Sequence, residues 1–176
     1  LRADRERGGL AAVASGVYDF YLDDWARDAA DYGRPILLRF AHEMNDPYRY
    51  PWGPQNNAPG DYIAAFRHVV ERFRVAGAVN VLFVWAPHVG YQGMSAFYPG
   101  DDWVDWIATG VLNYGTAARW SAWWSFDDIF GKSYADLAAY GKPIMIAELG
   151  SLAVGGDRIR WFADALGDLR ARYPLL

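Results

Sequence analysis

The chain has 176 residues, of which 53% are hydrophobic and 17% aromatic; this is enough apolar material for one well-cored domain and too much for a disordered segment. A formal net charge of −4 at pH 7 and a pI near 5.3 argue against a nucleic-acid partner, which relies on clustered Lys and Arg. With no cysteine in the chain, disulfides and thiol nucleophiles are excluded, and no apolar run reaches the roughly 20 residues that a membrane-spanning helix needs.

The first predicted element is a helix over 18–32, where Tyr18, Leu22, Trp25, Ala29 and Tyr32 recur at three- and four-residue steps, the stripe of a helix packed on a core. Gly33 and Pro35 end it, and a short apolar strand over 36–41 runs into His42 and Glu43. A carboxylate at the end of a buried strand needs either a specific partner or a chemical task, because burying a charge is costly. The following loop to residue 60 is rich in proline and aromatics, among them Tyr48, Tyr50 and Trp52. A second helix is predicted over 61–76, with Ile63, Phe66, Val70 and Phe73 on one face and Gly77 closing it. Arg67, Arg72 and Arg74 then fall on its solvated side, and His68 reads as an ordinary satisfied histidine.

Residues 81–86 form a continuous apolar run of the kind found in parallel strands covered on both faces, ending at Trp85-Ala86-Pro87-His88. A loop rich in glycine and aromatics leads to a strand over 106–112, which ends at Asn113-Tyr114-Gly115. Trp120, Trp123 and Trp124 follow, after which Ser125 and Asp128 have the spacing of a capping box. Ser133 and Asp136 repeat that spacing beyond Gly131, which predicts a helical region to residue 140 broken in two. A strand over 144–147 then delivers Glu148, and a last helix over 157–172 is predicted to turn Ile159, Phe162, Leu166 and Leu169 inward before Pro174 stops it.

One design occurs twice. Tyr32-Gly33-Arg34-Pro35-Ile36 leads to Glu43, and Tyr140-Gly141-Lys142-Pro143-Ile144 leads to Glu148. Two helix-to-strand units of this kind imply repeated β/α units that deliver two carboxylates to the carboxyl ends of parallel strands, where a closed barrel carries its chemistry. Four strands are too few for an eight-stranded barrel, which takes about 250 residues, so residues 1–176 read as one α/β domain comprising part of a barrel. A doubly wound sheet is the alternative, but no glycine-rich phosphate loop follows any strand. His42, His68 and His88 lack metal-ligand spacing, no serine sits in a G-x-S-x-G elbow, and the pairs Asp101-Asp102 and Asp127-Asp128 read as helix caps. Neither a metal nor a cofactor is expected. The nine Trp and twelve Tyr, several of them in loops, suit the flat apolar faces of sugar rings.

Arg39-Phe40-Ala41-His42-Glu43-Met44-Asn45, Pro51-Trp52-Gly53, Val84-Trp85-Ala86-Pro87, Tyr98-Pro99-Gly100-Asp101-Asp102, Val104-Asp105-Trp106 and Lys142 to Ser151, taken in order, resemble glycoside hydrolase family 26, best known for β-mannanases. The resemblance implies a (β/α)₈ TIM barrel, present here from about strand 4 to helix 7, with the first strands and the eighth outside these residues. It implies Glu43 as general acid/base at the end of strand 4 and Glu148 as nucleophile at the end of strand 7. Tyr114 is implied to hydrogen-bond the nucleophile and His42 to lie beside the acid/base. Asn45, Trp52, Trp85, His88 and Trp120 are further candidates for substrate contact, with the three tryptophans as sugar platforms. The implied partner is a β-linked polysaccharide or oligosaccharide and the implied location is secreted or periplasmic. β-1,4-Mannan is the leading substrate, mixed-linkage β-glucan and β-1,3-xylan are alternatives, and a non-catalytic carbohydrate-binding barrel is the reading from another class. The segment Asp46-Pro47-Tyr48-Arg49-Tyr50 departs from the family pattern, which more often has glycine and then tryptophan after the asparagine, and so does Val111-Leu112-Asn113-Tyr114-Gly115.

Overall fold

Parallel pairing of short apolar strands organises each of the two compact units of the chain, Leu1–Trp106 and Ile107–Leu176. The structure, a computed structural model, describes residues 9–167 and 169–176.

In the first unit a short helix α1 (Gly9–Ala14) precedes α2 (Asp19–Tyr32), β1 (Ile36–Leu38), α3 (Pro59–Val75) and β2 (Val81–Trp85), with two 3₁₀ turns at Met94–Phe97 and Asp101–Trp103. β1 and β2 run parallel, with Ile36 opposite Val81 and Leu38 opposite Phe83. The core is aromatic: Phe73 of α3 meets Trp25 of α2 edge-on at 5.2 Å and Phe83 of β2 at 5.8 Å. Tyr62, Phe66, Val69, Val70 and Phe73 are the buried stripe of α3, so the expected face is present except that Tyr62 takes the place given to Ile63. On α2 the buried residues are Leu22, Ala26 and Ala29; Trp25 and Tyr32 of the predicted stripe are exposed.

The arginines of α3 are tethers rather than a merely solvated face. Arg72 grips Asp23 with two hydrogen bonds of 2.7 and 2.5 Å, which ties α3 to α2. Arg67 donates to the carbonyl of Pro99 at 2.8 Å and Arg74 to that of Asp102 at 2.6 Å. His68 is satisfied by Asp19 at 2.6 Å.

In the second unit β3 (Trp106–Asn113), α4 (Phe126–Ala138), β4 (Ile144–Ser151), α5 (Arg158–Leu166) and α6 (Leu169–Arg172) follow in order, and β3 runs parallel to β4. α4 opens with the predicted capping box, Ser125 and Asp128 each bonding the other's backbone amide at 3.0 Å. It is a single helix: Gly131 lies within it beneath the Tyr173 hydroxyl, and the Ser133 and Asp136 spacing caps nothing. The C-terminal helix is shorter and differently rotated than expected. α5 ends at Leu166 because Arg172 returns to donate to the carbonyls of Asp164, Ala165 and Gly167, satisfying the free acceptors of a helix end. Its buried residues are Trp161 and Ala165, whereas Ile159 is 81% exposed. Trp161 sets the rotation by packing on Phe126 and donating to the Trp124 carbonyl at 2.9 Å.

Two measurements check these assignments. Ser125→Ala should lower stability to urea by about 1 kcal/mol through loss of the cap, and Ser133→Ala should leave the midpoint unchanged, by far-UV circular dichroism. Burial, and then the Asp127 carboxylate that accepts its proton at 2.6 Å, push the Tyr173 phenol up to about 12. The folded chain therefore keeps a proton that the unfolded chain has lost, so this contribution is complete below about pH 10 and is lost as pH rises from about 10 to 12. Tyr173→Phe should flatten that alkaline loss of stability in denaturant titrations run at successive pH values.

Candidate active site

Glu43 stands five residues beyond β1, in a turn and not on the strand predicted over 36–41. The reason is backbone geometry: Ala41 and Glu43 both take positive φ, 44° and 54°, a conformation that costs a non-glycine residue of the order of 1–3 kcal/mol and that no strand contains. The turn is stitched to the segment after β2. The Glu43 amide donates to the Ala86 carbonyl at 2.7 Å. Asn45, only 3% exposed, donates to the carbonyls of His88 and Tyr91 at 2.9 and 3.2 Å and accepts the His88 amide at 2.8 Å. The Asn45 amide is thus spent on backbone. That corrects its expected place as a substrate contact: it is a clamp between loops.

Asp46, equally buried, accepts the amides of Tyr48 and Arg49 at 2.8 and 3.2 Å, an Asx turn that fixes the path of the unusual Asp46 to Tyr50 segment. The result places Arg49 beside Glu43, its guanidinium 3.6 Å from Oε2. That oxygen is buried and has no hydrogen-bond partner. Next to it His42 Nε2 meets the Tyr50 hydroxyl at 3.1 Å, and Tyr50 stacks on Trp52 at 4.8 Å with the rings 9° apart. Trp52 Nε1 donates to the His42 carbonyl at 2.7 Å. Burial raises the Tyr50 phenol above its ordinary value; a hydrogen bond with Arg49 opposes the rise and the charge of Glu43 adds to it. His42 and Trp52 are therefore built into the surroundings of Glu43, and Trp52 presents at least one face to Tyr50 and not to solvent.

Trp85 is another correction. It is 0% exposed and packs edge-on against Tyr98 at 5.0 Å, so it is core and offers no ring face to a sugar. His88 is half-buried beside Tyr91, at 4.6 Å, and its Nδ1 accepts the Gly90 amide at 3.0 Å. One ring nitrogen of His88 and one oxygen each of Glu43 and Asp46 lie within 4.8 Å of one another, the only grouping among the described residues that brings three such donors together. We read it as a hydrogen-bonding cluster and not an ion cage. Nδ1 is occupied by the Gly90 amide, Asp46 is occupied by two backbone amides, and Arg49 already supplies positive charge.

In the second unit Glu148 lies within β4 itself, which continues three residues past it to Ser151. The pairing with β3 slips at this point: Thr109 faces Ile146 and Gly110 faces Glu148, so Ala147 is an extra residue, a β-bulge immediately before the glutamate. Bulges of this kind re-aim the side chain that follows. At the end of β3 Asn113 is buried; its Oδ1 accepts the Gly115 amide at 3.0 Å, which turns the chain sharply and sets Tyr114. Trp120 meets the Tyr114 ring edge-on at 5.2 Å and is 67% exposed, as a sugar platform must be. Trp123 covers Gly156, where an added Cβ would fall 2.2 Å from the indole, and so serves packing.

Residues 16–156 match the profile of Glycosyl hydrolase family 26. The chain belongs to that family. Among family relatives, Endoglucanase H of Acetivibrio thermocellus is 39% identical over 92% of this chain and 19% of its own length. Mannan endo-1,4-beta-mannosidase of Bifidobacterium adolescentis is 29% identical over 82% of this chain and 15% of its own. A solved Cellulomonas fimi endo-beta-1,4-mannanase double mutant aligns with TM-score 0.73 and 25% identity over 99% of this chain and 43% of that chain. The chain therefore spans about a fifth of the curated relatives it matches and under half of the solved chain, and its fold is part of a (β/α)₈ barrel, as the sequence implied.

The residues that sequence reasoning did not select are Asp46, Arg49 and Tyr50. Their signal was the departure from the family pattern at these positions. Asn45→Ala should strand the carbonyls of His88 and Tyr91 and the His88 amide, costing about 1–3 kcal/mol and speeding hydrogen exchange at His88; equal exchange in both proteins would show that the clamp holds nothing.

Proposed function

We propose that this chain carries the catalytic residues of a retaining endo-glycoside hydrolase acting on a β-linked polysaccharide. Glu43 is the general acid/base and Glu148 the nucleophile. In the first step Glu148 attacks the anomeric carbon while Glu43 gives its proton to the leaving glycosidic oxygen; in the second, Glu43 takes a proton from the water that releases the sugar. The observation that carries this reading is the state of Glu43. Its carboxylate is nearly enclosed, at 15% exposure, with a buried oxygen that no hydrogen bond engages, in a chain of this family. An oxygen committed to a structural bond would be unavailable for proton transfer. The aromatic surroundings of Glu43 and the exposed Trp120 suit sugar rings, which favours this reading over a binding barrel without chemistry.

β-1,4-Mannan is the leading substrate by family. A mixed-linkage β-glucan is the second reading, favoured by the 39% identity to a relative named as an endoglucanase, against 29% for the mannosidase. A polysaccharide substrate places the parent protein outside the cytoplasm, secreted or periplasmic.

The test uses a protein carrying these residues at the length of its relatives, with mannan, mixed-linkage glucan and β-1,3-xylan as substrates. Glu43→Gln and Glu148→Gln should each lower the rate by at least about 10² to 10⁴-fold, and proton NMR of the first product should show the β-anomer. An α-anomer would replace retention by inversion, and full activity in either variant would sink the assignment of that residue.

A further inference from the structure

Arg49 belongs to the segment where this chain departs from its family's pattern, and nothing in the reaction proposed above calls for it. The Asx turn at Asp46 fixes its backbone, since Asp46 Oδ1 accepts the Arg49 amide. Its guanidinium lies 3.6 Å from the buried Oε2 of Glu43 and 5.9 Å from the centre of the Tyr50 ring. Its side chain is 56% exposed whereas that of Glu43 is 15% exposed. The cation thus lies on the solvent side of an enclosed carboxylate, beyond hydrogen-bond range of the oxygen it faces.

A general acid must hold its proton when the substrate arrives, and a cation this close favours the ionised form. We infer that Arg49 is a positioning residue that caps Glu43 in its resting, ionised state and has to withdraw before Glu43 can take up the proton it delivers. The long, solvent-exposed side chain can leave without disturbing the turn, which is held by backbone bonds. The other groups facing Glu43 cannot substitute for it. Tyr50 from the same loop and Tyr91 and His88 from the 88–91 loop carry no fixed positive charge, and Asp46 is negative. The inference rests on the assignment of Glu43 as acid/base.

The test follows the Glu43 side-chain carboxyl carbon by NMR from about pH 3 to 8 at low salt in the unaltered chain, Arg49→Gln and Arg49→Lys, the signal being assigned by its absence in Glu43→Gln. The titration midpoint should rise by about half a pH unit in Arg49→Gln, return most of the way in Arg49→Lys, and the difference should narrow at high salt. Equal midpoints in all three proteins would overturn the inference. So would a rise that Arg49→Lys does not reverse, because that marks a rearranged loop and not a lost charge. No substrate enters the measurement, so a negative result leaves the role of Glu43 to the hydrolysis assays.

Discussion

The arrangement around Glu43 depends on a few backbone hydrogen bonds between two loops. A carboxylate in a positive-φ turn is held in an unfavourable conformation, and a free loop would relax out of it. The Glu43 amide bonded to Ala86, and the Asn45 side chain bonded to both sides of the 88–91 segment, prevent that relaxation. Both anchors are buried, so water does not compete for them and losing either leaves unpaired polar groups. The strain in the turn is supported by the rigidity of β2 and the segment beyond it.

The two glutamates reach their positions by different devices. Glu43 is carried out of the strand by a tight turn, and everything near it, from His42 to Trp52, is a loop braced by aromatic stacking. Glu148 stays in its strand and is re-aimed by the bulge at Ala147, with the ladder to β3 resuming at Gly110 and running on to Ser151. A strand-borne side chain is held by hydrogen bonds on both sides of it and has little freedom. A turn-borne one keeps more, which suits a group that alternates between giving and taking a proton.

Much of this was legible in the sequence. The apolar runs at Val81 and Ile144, the Gly-Pro punctuation after Tyr32 and Tyr140, and the Ser125 and Asp128 pair located the elements, because each reflects a local energetic preference. The errors fell where tertiary contacts decide. Apolar character continues to Ala41, so nothing in the residues marks the turn that ends β1 at Leu38. Gly131 looks like a helix break but lies within α4 beneath Tyr173, and the rotation of α5 follows the single large side chain of Trp161 rather than the count of aliphatics. Asn45 and Trp85 were selected by residue type, and type cannot tell a side chain that faces a ligand from one that faces its own backbone or core.

The aromatic residues show the same distinction in energetic terms. A tryptophan serves a sugar only if a ring face is left in water until the sugar arrives, and that exposure forgoes burial worth roughly 1.5–3 kcal/mol for a large side chain. Trp85 and Trp161 take the burial and become core. Trp123 takes most of it against Gly156, and Trp52 spends its indole on the His42 carbonyl. Trp120 does neither: it is held only by an edge contact to Tyr114 and keeps most of its surface in solvent. An exposed ring of this size beside the residue that sets the end of β3 is poorly explained by stability, and ligand contact is the interaction that would offset its exposure.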